Sequence, residues 1–262
     1  MATLSQSERA RSNIYRGNEH MRIAMISDIH GNLEALSAVL SQIEQQQTDA
    51  VYCLGDVIGY GANPAACLDL VNEHCDVKLM GNHEYAVMGQ LSTESYNDSA
   101  RISVKWTQSN LTPRHLQMIE GFAMDHVRDH MYFVHASPYA PEKWHYILNP
   151  KQARLAFEHL KQRLCFCGHS HVPAIFAETP EGPPREKVGH DFVPNEDTRY
   201  IINIGSTGQP RDYDPRASFV TYDTETNDVV YTRVQYDIAT AQQKMLDADL
   251  PEFLSERLAV GR

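Results

Sequence analysis

The sequence predicts an α/β protein built on a parallel β-sheet. Short apolar runs alternate with stretches of helical periodicity, which is the pattern of strands joined by right-handed crossover helices. Five of the apolar runs end in glycine or another small residue beside Asp, Asn or His. Because open α/β sheets bind their ligands at the carboxyl ends of their strands, a functional site is expected there.

The amino-terminal part of the chain shows this alternation most clearly. Four consecutive apolar residues at 23–26 indicate a strand that is buried on both faces. Apolar residues then recur at helical spacing up to about Gln46. Asn63 and Pro64 are favourable at the cap and in the first turn of a second helix. The elements predicted here are, in order, a strand over 23–26, a helix over 33–46, a strand over 49–54, a helix over 63–74 and a strand over 77–80.

The remainder of the chain is less regular. Residues 85–121 are rich in Ser, Asn, Gln and Tyr, with helical stretches at 99–108 and 114–120. We expect a lid-like insertion here, because loops over a rigid scaffold often determine substrate specificity. Residues 1–20 are polar without periodicity and are expected to be a disordered leader to a single domain over 21–262. The later predicted elements are strands over 130–135, 164–167, 174–177, 200–204, 218–222 and 229–234, a helix over 152–161 and a helical tail over 239–258.

The composition limits the functional classes. The formal net charge is −11, from 34 acidic and 23 basic residues, which argues against binding to a nucleic acid polymer through a basic surface. No apolar run approaches the roughly 20 residues of a membrane span, and the amino terminus lacks the apolar core of a secretory signal. A cytoplasmic protein without membrane attachment is therefore expected, and a homo-oligomer is compatible with the sequence.

The cysteines do not suggest a metal site of their own. All five lie at spacings that differ from those of zinc sites. Four lie in or beside apolar segments, which is typical of reduced, buried thiols. Cys165 and Cys167 share one predicted strand and are expected to face opposite sides of it rather than to pair.

Candidate metal ligands lie at the five strand ends. They are Asp28, His30, Asp56, Asn82, His135, His169 and His171. Oxygen and imidazole ligands of this kind suit hard or borderline divalent cations. A centre of two ions needs about four ligands per ion with one of them shared, and this set supplies them. For any single motif other roles compete: Asp28 could cap the helix that begins near Asn32, and an isolated histidine is more often structural.

The order of these motifs resembles a known family signature. The series Asp-Xaa-His, Gly-Asp-Xaa-Xaa, Gly-Asn-His-Glu, His and Gly-His-Xaa-His, over residues 22–171, is similar to that of the calcineurin-like metallophosphoesterase superfamily. The segment Ile-Asn-Ile-Gly-Ser at 202–206 resembles its small bacterial branch of YfcE-like or diadenosine tetraphosphatase-like phosphoesterases. The resemblance implies a four-layer α/β/β/α sandwich, with two mixed sheets flanked by helices, that holds two divalent ions, commonly Mn, Fe, Zn, Ni or Co.

The resemblance also implies a role for each motif residue. His83 would face the substrate as general acid, and a hydroxide that bridges the ions would attack phosphorus directly. The ligands would divide into one group for each ion and a shared carboxylate: Asp28, His30 and His171 for the first ion, Asn82, His135 and His169 for the second, and Asp56 as the bridge.

The expected substrate is a small-molecule phosphodiester or a nucleotide, such as a cyclic nucleotide or a dinucleoside polyphosphate. Gly59 stands where Ser/Thr protein phosphatases carry a second aspartate followed by a phosphate-binding arginine, and a phosphomonoester or phosphoprotein is the alternative substrate. Arg211, with Ser206 as a neighbour, is the candidate for the missing positive charge, and Asn82 is a further candidate substrate contact. A non-catalytic scaffold is a hypothesis of a different class, and it is disfavoured because every ligand and His83 are present.

Three features near the motifs each have two interpretations. Glu84 either orients His83 or caps the next helix. The Gly-Ser-Thr-Gly run at 205–208 either binds phosphate through backbone N–H groups or forms a simple turn, and the turn is favoured. The aromatic stretch at 144–146 either lines the pocket or forms an exposed loop, and the loop is favoured.

Overall fold

Two β-sheets packed between helices form the fold. The computed structural model describes residues 20–94 and 96–262, so residues 1–19 of the expected leader lie outside the described residues. One sheet has five strands and the other has six. Helices cover the outer faces of both sheets. This arrangement confirms the predicted sandwich of two mixed sheets flanked by helices.

The first sheet contains the strands of the regular amino-terminal part. In spatial order its strands are β11 (Val229–Val234), β10 (Ala217–Asp223), β1 (Arg22–Ile26), β2 (Ala50–Cys53) and β3 (Val77–Lys78). The strands β1, β2 and β3 are parallel neighbours, as predicted. β10 and β11 extend the sheet beyond β1 in antiparallel orientation. The carboxyl ends of the three parallel strands therefore lie at one edge of this sheet.

The second sheet contains two strands that the sequence did not predict. In spatial order its strands are β4 (Asp125–Arg128), β5 (Met131–Val134), β6 (Leu164–Cys167), β9 (Arg199–Asn203), β7 (Ala174–Glu178) and β8 (Arg185–Val188). β5, β6 and β9 are parallel, and the other three pair in antiparallel orientation. The unpredicted strands are β4 and β8, which lie at the two edges and are mostly exposed. Their polar sequences lack the apolar run or alternation by which a strand is recognised.

Most helices lie near their predicted positions, but the predicted tail over 239–258 is divided into two helices, and no bounds were predicted for the helix at Asn82–Val87. They are α1 (Leu33–Gln45), α2 (Pro64–His74), α3 (Asn82–Val87), α4 (Asp98–Ser109), α5 (Pro113–Glu120), α6 (Pro150–His159), α7 (Ile238–Asp247) and α8 (Glu252–Glu256), with 3₁₀ turns at Pro141–Lys143 and Arg257–Ala259. The side chain of Asn32 caps α1 by accepting the backbone N–H of Ala35 at 3.1 Å. α2 begins at Pro64 as predicted, although the Asn63 side chain makes no capping hydrogen bond. α6 begins earlier than predicted, because Asn149 and not a later residue provides its cap.

The side chains of β1 show how the layers are held together. Ala24 and Ile26 pack on the outer side in one core cluster with α1 and α2. Ile23 and Met25 point to the opposite face and pack between the sheets with residues of both, including Phe133, Phe166 and Tyr222. Burying such a side chain stabilises the fold by about 1.5–3 kcal/mol. Because its side chains are apolar on both faces, β1 lies between two cores, the one under the helices and the one between the sheets.

One expectation about the cysteines was wrong. Cys165 and Cys167 lie in the same core cluster as Phe157 of α6, because residues two apart in a strand point to the same face. All five cysteines are free and buried, as expected for reduced thiols.

The segment 85–121 and the carboxyl-terminal tail both pack on the helical side of the first sheet. Val104 of α4 and Ile119 of α5 belong to the core cluster that contains α1 and α2. The tail packs on α1, where Lys244 forms an ion pair with Glu34. Among the described residues, no helix has the length and hydropathy that a membrane span requires. A lid function for 85–121 stays a prediction.

Candidate metal centre and substrate site

The loops that follow five strands of the two sheets meet in one cluster. They carry all seven predicted metal ligands, and every one of these side chains is buried. Six of them, together with His83, form three groups whose ligand atoms lie within 4.8 Å of one another: Asp28, His30 and His171; His30, Asp56 and His83; and Asp56, His135 and His169. Because His30 and Asp56 each belong to two groups, the groups form one continuous cluster.

Asp28 connects loops from both sheets. One of its carboxylate oxygens lies 3.2 Å from Nε2 of His171. The backbone N–H of His169 donates to the other carboxylate oxygen at 2.9 Å. The backbone N–H of Asp28 donates in turn to the carbonyl of Gly55 at 3.0 Å. These contacts fix the loop after β1 against the loops after β2 and β6.

Asp56 lies between imidazoles from different sheets. Its Oδ1 accepts the backbone N–H of His83 at 2.9 Å. Its Oδ2 lies 3.3 Å from Nε2 of His135 and 3.7 Å from Nε2 of His30. One oxygen of Asp56 is therefore held by the backbone, and the other faces two groups of candidate ligands at once.

Backbone carbonyls orient three of the imidazoles. Nδ1 of His30 lies 3.1 Å from the carbonyl of Ile58, and Nδ1 of His135 lies 2.9 Å from that of Leu54. Nδ1 of His171 lies 2.6 Å from a carbonyl in the loop after β9. Because a carbonyl only accepts hydrogen bonds, each Nδ1 carries a hydrogen, and the neutral rings of His30 and His171 therefore present the lone pair of Nε2 to the cluster.

The converging lone pairs fit a cation. Nε2 of His30 and Nε2 of His171 lie 3.0 Å apart, and two lone pairs at that distance repel each other unless a positive charge lies between them or beside them. Among the described residues, Oδ1 of Asn82 and Nε2 of His135 and His169 are buried without a hydrogen-bond partner. Buried polar atoms are seldom left unpaired. This donor set therefore fits divalent metal ions, and imidazole with carboxylate favours borderline ones.

The backbone at the cluster is strained. Five of the candidate ligands adopt a positive φ of 50–66°, in the left-handed region: Asp28, His30, Asp56, His169 and His171. This conformation is uncommon for residues other than glycine and costs about 1–3 kcal/mol at each position. Strain of this kind persists only where surrounding contacts impose it, and it concentrates at functional sites.

Burial and neighbouring charges set the protonation of the ligands. Burial alone would raise the pKa of Asp56, but His135 and His83 hold it well below its usual range. Burial lowers the pKa of His30 well below its ordinary value and that of His169 to about 3. His135 differs because the Asp56 carboxylate outweighs burial and raises its pKa to about 9. Ionised carboxylates and mostly neutral imidazoles are the forms that bind metals.

Glu84 holds the Asp56 loop in place. Its carboxylate accepts the backbone N–H groups of Gly81 and Asp56 at 2.9 Å each. It also accepts those of Val57 at 2.8 Å and Ile58 at 3.2 Å. The bond from Gly81 is the helix cap that was one of the two interpretations of Glu84, and among the described contacts none joins its carboxylate to the His83 ring. Glu84 therefore supports Asp56 as well as α3.

His83 lies over the cluster between aromatic rings. Its side chain is only 2% exposed, and its ring centroid lies 4.8 Å from that of His30 and 4.5 Å from that of Tyr60. Gly59 makes this position accessible, because a Cβ there would lie 2.2 Å from Nδ1 of His83. Gly59 also adopts φ +87°, which disfavours other residues. The absence of a side chain at Gly59 thus makes room for the His83 ring.

The comparisons with known proteins agree with this cluster. Residues 21–227 match the calcineurin-like phosphoesterase superfamily domain. The chain belongs to this superfamily. It is 38% identical over 244 residues to an uncharacterized protein of Methanocaldococcus jannaschii, with 92% of this chain and 98% of that protein covered.

Of two similar solved structures, one supports membership in the calcineurin-like superfamily and the other supports the fold. A metallophosphoesterase from Sphaerobacter thermophilus has a TM-score of 0.81 and 39% identity, covering 93% of this chain and all of that one. A hypothetical protein from Pyrococcus horikoshii has a TM-score of 0.73 at 18% identity, covering 92% and 98% of the two chains, and shows the fold alone. The family is metal-dependent, and the described residues contain clustered potential ligands.

In this calcineurin-like site Arg211 lies beside the ligand cluster, where its backbone N–H donates to the carbonyl of His171 at 3.3 Å. Its guanidinium lies 5.8 Å above the Tyr60 ring and donates to Oε1 of Gln209 at 2.8 Å. Its Nε is buried and has no partner among the described residues. After burial, Arg211 is the largest cause of the lowered pKa of His171, so its positive charge reaches the ligand cluster.

Ser206 supports a loop through its hydroxyl, which is engaged by backbone groups. Its side chain is fully buried, and its hydroxyl donates to the carbonyl of Asp28 and accepts the N–H of Gln209, both at 2.8 Å. The backbone N–H groups of Thr207 and Gly208 donate to carbonyls of the loop after β1. These contacts favour the turn interpretation of 205–208. They do not favour the predicted contact of Ser206 with substrate, which stays a prediction.

The aromatic stretch after β5 lies closer to the cluster than expected. Trp144 is buried, with its ring 5.9 Å from that of His135. Tyr146 stacks on His169 at 4.1 Å and 24°. The favoured interpretation of an exposed loop holds for His145 and for Tyr146, which is 45% exposed, but not for Trp144. Three consecutive ring residues shortly after a ligand-bearing strand end were the available signal in the sequence.

Proposed function

We propose that this protein is a dinuclear metal-dependent phosphoesterase that hydrolyses a small-molecule phosphodiester or a nucleotide. The observation that most supports this proposal is Oδ2 of Asp56, which faces His135 from one sheet and His30 from the other. A carboxylate shared in this way is what a two-ion centre requires. Membership in a metal-dependent phosphoesterase family supports the same function.

Each ligand has an assigned place in this proposal. The bound ions would supply an activated water molecule as nucleophile and would withdraw charge from the phosphoryl oxygens. The ions would be held by Asp28, His30 and His171 on one side, by Asn82, His135 and His169 on the other, and by Asp56 between them.

His83 is the proposed general acid for the leaving group. Burial lowers its pKa to about 4, so the imidazole of the free protein is neutral near pH 7. The negative charge of a bound phosphoester raises the pKa of a neighbouring imidazole. His83 would therefore take up its proton together with the substrate and donate it to the departing oxygen.

Arg211 is the proposed contact for a non-bridging phosphoryl oxygen. A buried guanidinium N–H without a partner is a costly arrangement that an anionic ligand would relieve. Asn82 is a proposed second contact through its Nδ2, which now donates to the Tyr96 hydroxyl at 3.1 Å, while its unpartnered Oδ1 would hold the ion.

The test is hydrolysis of bis(p-nitrophenyl) phosphate and p-nitrophenyl phosphate by protein stripped of metal, with and without added Mn²⁺. We expect activity on the diester that returns with metal. His83→Ala should lower kcat by about 10²–10⁴-fold for a poor leaving group and by less for nitrophenolate, which needs little protonation. His74→Ala, at an exposed histidine that ends α2, is the matched control.

The other outcomes separate the alternatives. Hydrolysis of the monoester alone would replace the diester by a phosphomonoester or phosphoprotein substrate. Protein that binds two ions but hydrolyses neither ester with any metal would contradict the proposal and favour a scaffold.

A further inference from the structure

A cavity lies beside the metal-ligand cluster. It measures about 340 Å³, within the range of roughly 300–1,000 Å³ that small-molecule sites occupy. Its walls include Tyr139, Trp144, His145, Tyr146 and Leu155. It is built almost entirely from the continuous segment between β5 and the middle of α6, and none of the metal ligands lines it.

Two of these rings contact the proposed ligands directly. Tyr146 stacks on His169 with 4.1 Å between centroids, and the Trp144 ring lies 5.9 Å from that of His135. A group bound in the cavity would thus be separated from the proposed metal ligands His135 and His169 only by the rings of Trp144 and Tyr146.

The walls present apolar and aromatic surface to solvent. Tyr146 is 45% exposed and Leu155 is 40% exposed. Tyr139 and His145 stack on each other, with 16° between their planes and 5.1 Å between centroids, so a ligand ring would meet the faces that this pair leaves open. Contiguous exposed apolar surface beside a cleft is typical of ligand sites, and ring faces of this kind bind planar groups by stacking.

The charge of the walls narrows the ligand. Among the described residues that line the cavity, none is Asp, Glu, Lys or Arg. A second phosphate or a charged amine would find no counter-charge there. A neutral planar ring needs none. Ala140 and Trp144 adopt φ of 45° and 55° at the two ends of the Pro141–Lys143 turn. Positive φ at residues other than glycine concentrates at functional sites, which is consistent with a binding role for this segment.

We infer that this cavity binds a neutral planar aromatic group of the phosphoester substrate, a nucleobase or a simple aryl ring, by stacking. The inference rests on the proposed function, because it assigns the phosphate of the same substrate to the metal-ligand cluster. It makes segment 137–156 the part of the chain that selects the substrate.

Tryptophan fluorescence provides a test that needs no hydrolysis. The sequence contains two tryptophans, so Trp106→Phe leaves Trp144 as the only one. We would titrate the metal-loaded variant with adenosine, phenol and ribose, none of which contains a phosphoester. A saturable change of emission with adenosine, with phenol or with both, and none with ribose, is the expected result. Adenosine alone would identify a nucleobase, and phenol alone a simple aryl group.

Variants of Tyr139 test the stacking itself. In the Trp106→Phe background, Tyr139→Ala should weaken binding of the responding ring compound about tenfold, which is the range for loss of one stacking partner. Tyr139→Phe keeps the ring and should bind like the parent. Leu148→Ala is the matched control, because Leu148 lies in the same segment, is 53% exposed and does not line the cavity. No saturable response to either ring compound, or equal affinity in Tyr139→Ala, would overturn the inference.

Kinetics separate this inference from the proposed function. With bis(p-nitrophenyl) phosphate, Tyr139→Ala should raise KM more than it lowers kcat, since the ring contact would be made in the ground state as well. Ring binding without hydrolysis would support the role of the cavity and contradict the proposed function. Hydrolysis without ring binding would support the proposed function and contradict the role of the cavity.

Discussion

The metal-ligand cluster and the aromatic cavity lie side by side but are built in different ways. The cluster takes residues from five strand ends of two sheets, between positions 28 and 171, and holds them with buried hydrogen bonds and a strained backbone. The cavity comes from one segment, 137–156, with partly exposed walls. In the proposed function, the chemistry that needs fixed geometry is thus attached to the sheets, and selectivity is attached to a connection that can change without disturbing them.

The largest effect is expected at the shared carboxylate. Asp56→Ala removes the oxygen that faces both groups and the acceptor of the His83 N–H. Loss of an outer partner of a metal ligand alone costs about 10–100-fold in metal affinity, so we expect a loss beyond 100-fold and no measurable hydrolysis. Metal content after dialysis, measured by mass spectrometry, checks this prediction.

Two further variants make that result specific. Asp56→Asn can keep an acceptor for the His83 N–H and replaces the other oxygen with an uncharged amide nitrogen, so it should lose metal while remaining folded. Asp98→Ala removes a carboxylate that is 83% exposed on α4 and should bind metal like the parent. Full metal occupancy in Asp56→Ala would refute a shared carboxylate.

The next effect is expected at Glu84, which lies beneath the cluster. In Glu84→Gln an amide nitrogen would replace one oxygen and face two of the four backbone N–H groups that the carboxylate now accepts. Each unpaired buried donor costs about 1–3 kcal/mol. We expect a loss of roughly 2–6 kcal/mol in stability and of about 10–100-fold in metal affinity, measured by denaturant unfolding and metal titration. Glu120→Gln, at an exposed position, is the control; unchanged metal affinity in Glu84→Gln would limit Glu84 to a helix cap.

A third effect is expected at Gly59, and Gly89 separates its two causes. Both glycines have a positive φ, +87° and +72°. A Cβ at Gly59 would meet His83 at 2.2 Å, whereas a Cβ at Gly89 would meet nothing within 4 Å. Gly89→Ala should therefore cost only the conformational strain, about 1–2 kcal/mol. Gly59→Ala should add displacement of His83 and lower kcat by up to about 100-fold, as misplacement by about 1 Å does.

Equal kcat values in these two alanine variants would mean that His83 is not the positioned general acid. Thermal unfolding of both variants gives the strain that they share, and the kinetics of ester hydrolysis give the difference between them.

The sequence predicted the cluster better than its surroundings. The strands β1, β2 and β6 are continuous apolar runs, and the residues at their ends have the atom types of metal ligands, so both the elements and their meeting point could be predicted. The polar edge strands β4 and β8 were missed because nothing in their residues requires burial. The two positions of Cys165 and Cys167 were misassigned although the period of a strand fixes them.

Contacts between distant loops could not be predicted. That Glu84 accepts the N–H groups of three residues after β2 depends on how two loops meet, and no local pattern encodes it. The same holds for the stacking of Tyr146 on His169, across 23 residues of sequence. The Asn149-Pro150 start of α6, by contrast, carried the same signal that placed α2 correctly.

The smallest effect is expected in the cavity wall, where it separates the two regions most directly. Leu155 is 40% exposed and lines the cavity, whereas Leu164 of β6 is fully buried between the sheets. Leu155→Ala should cost less than about 1 kcal/mol in stability, and Leu164→Ala about 2–5 kcal/mol. Only Leu155→Ala should raise KM for an aromatic diester, by a few-fold. Its metal affinity, measured by titration without denaturant, should be unchanged. A loss of metal in Leu155→Ala would mean that the cavity and the cluster are one structural unit, and that selectivity in this fold cannot change independently of the metal site.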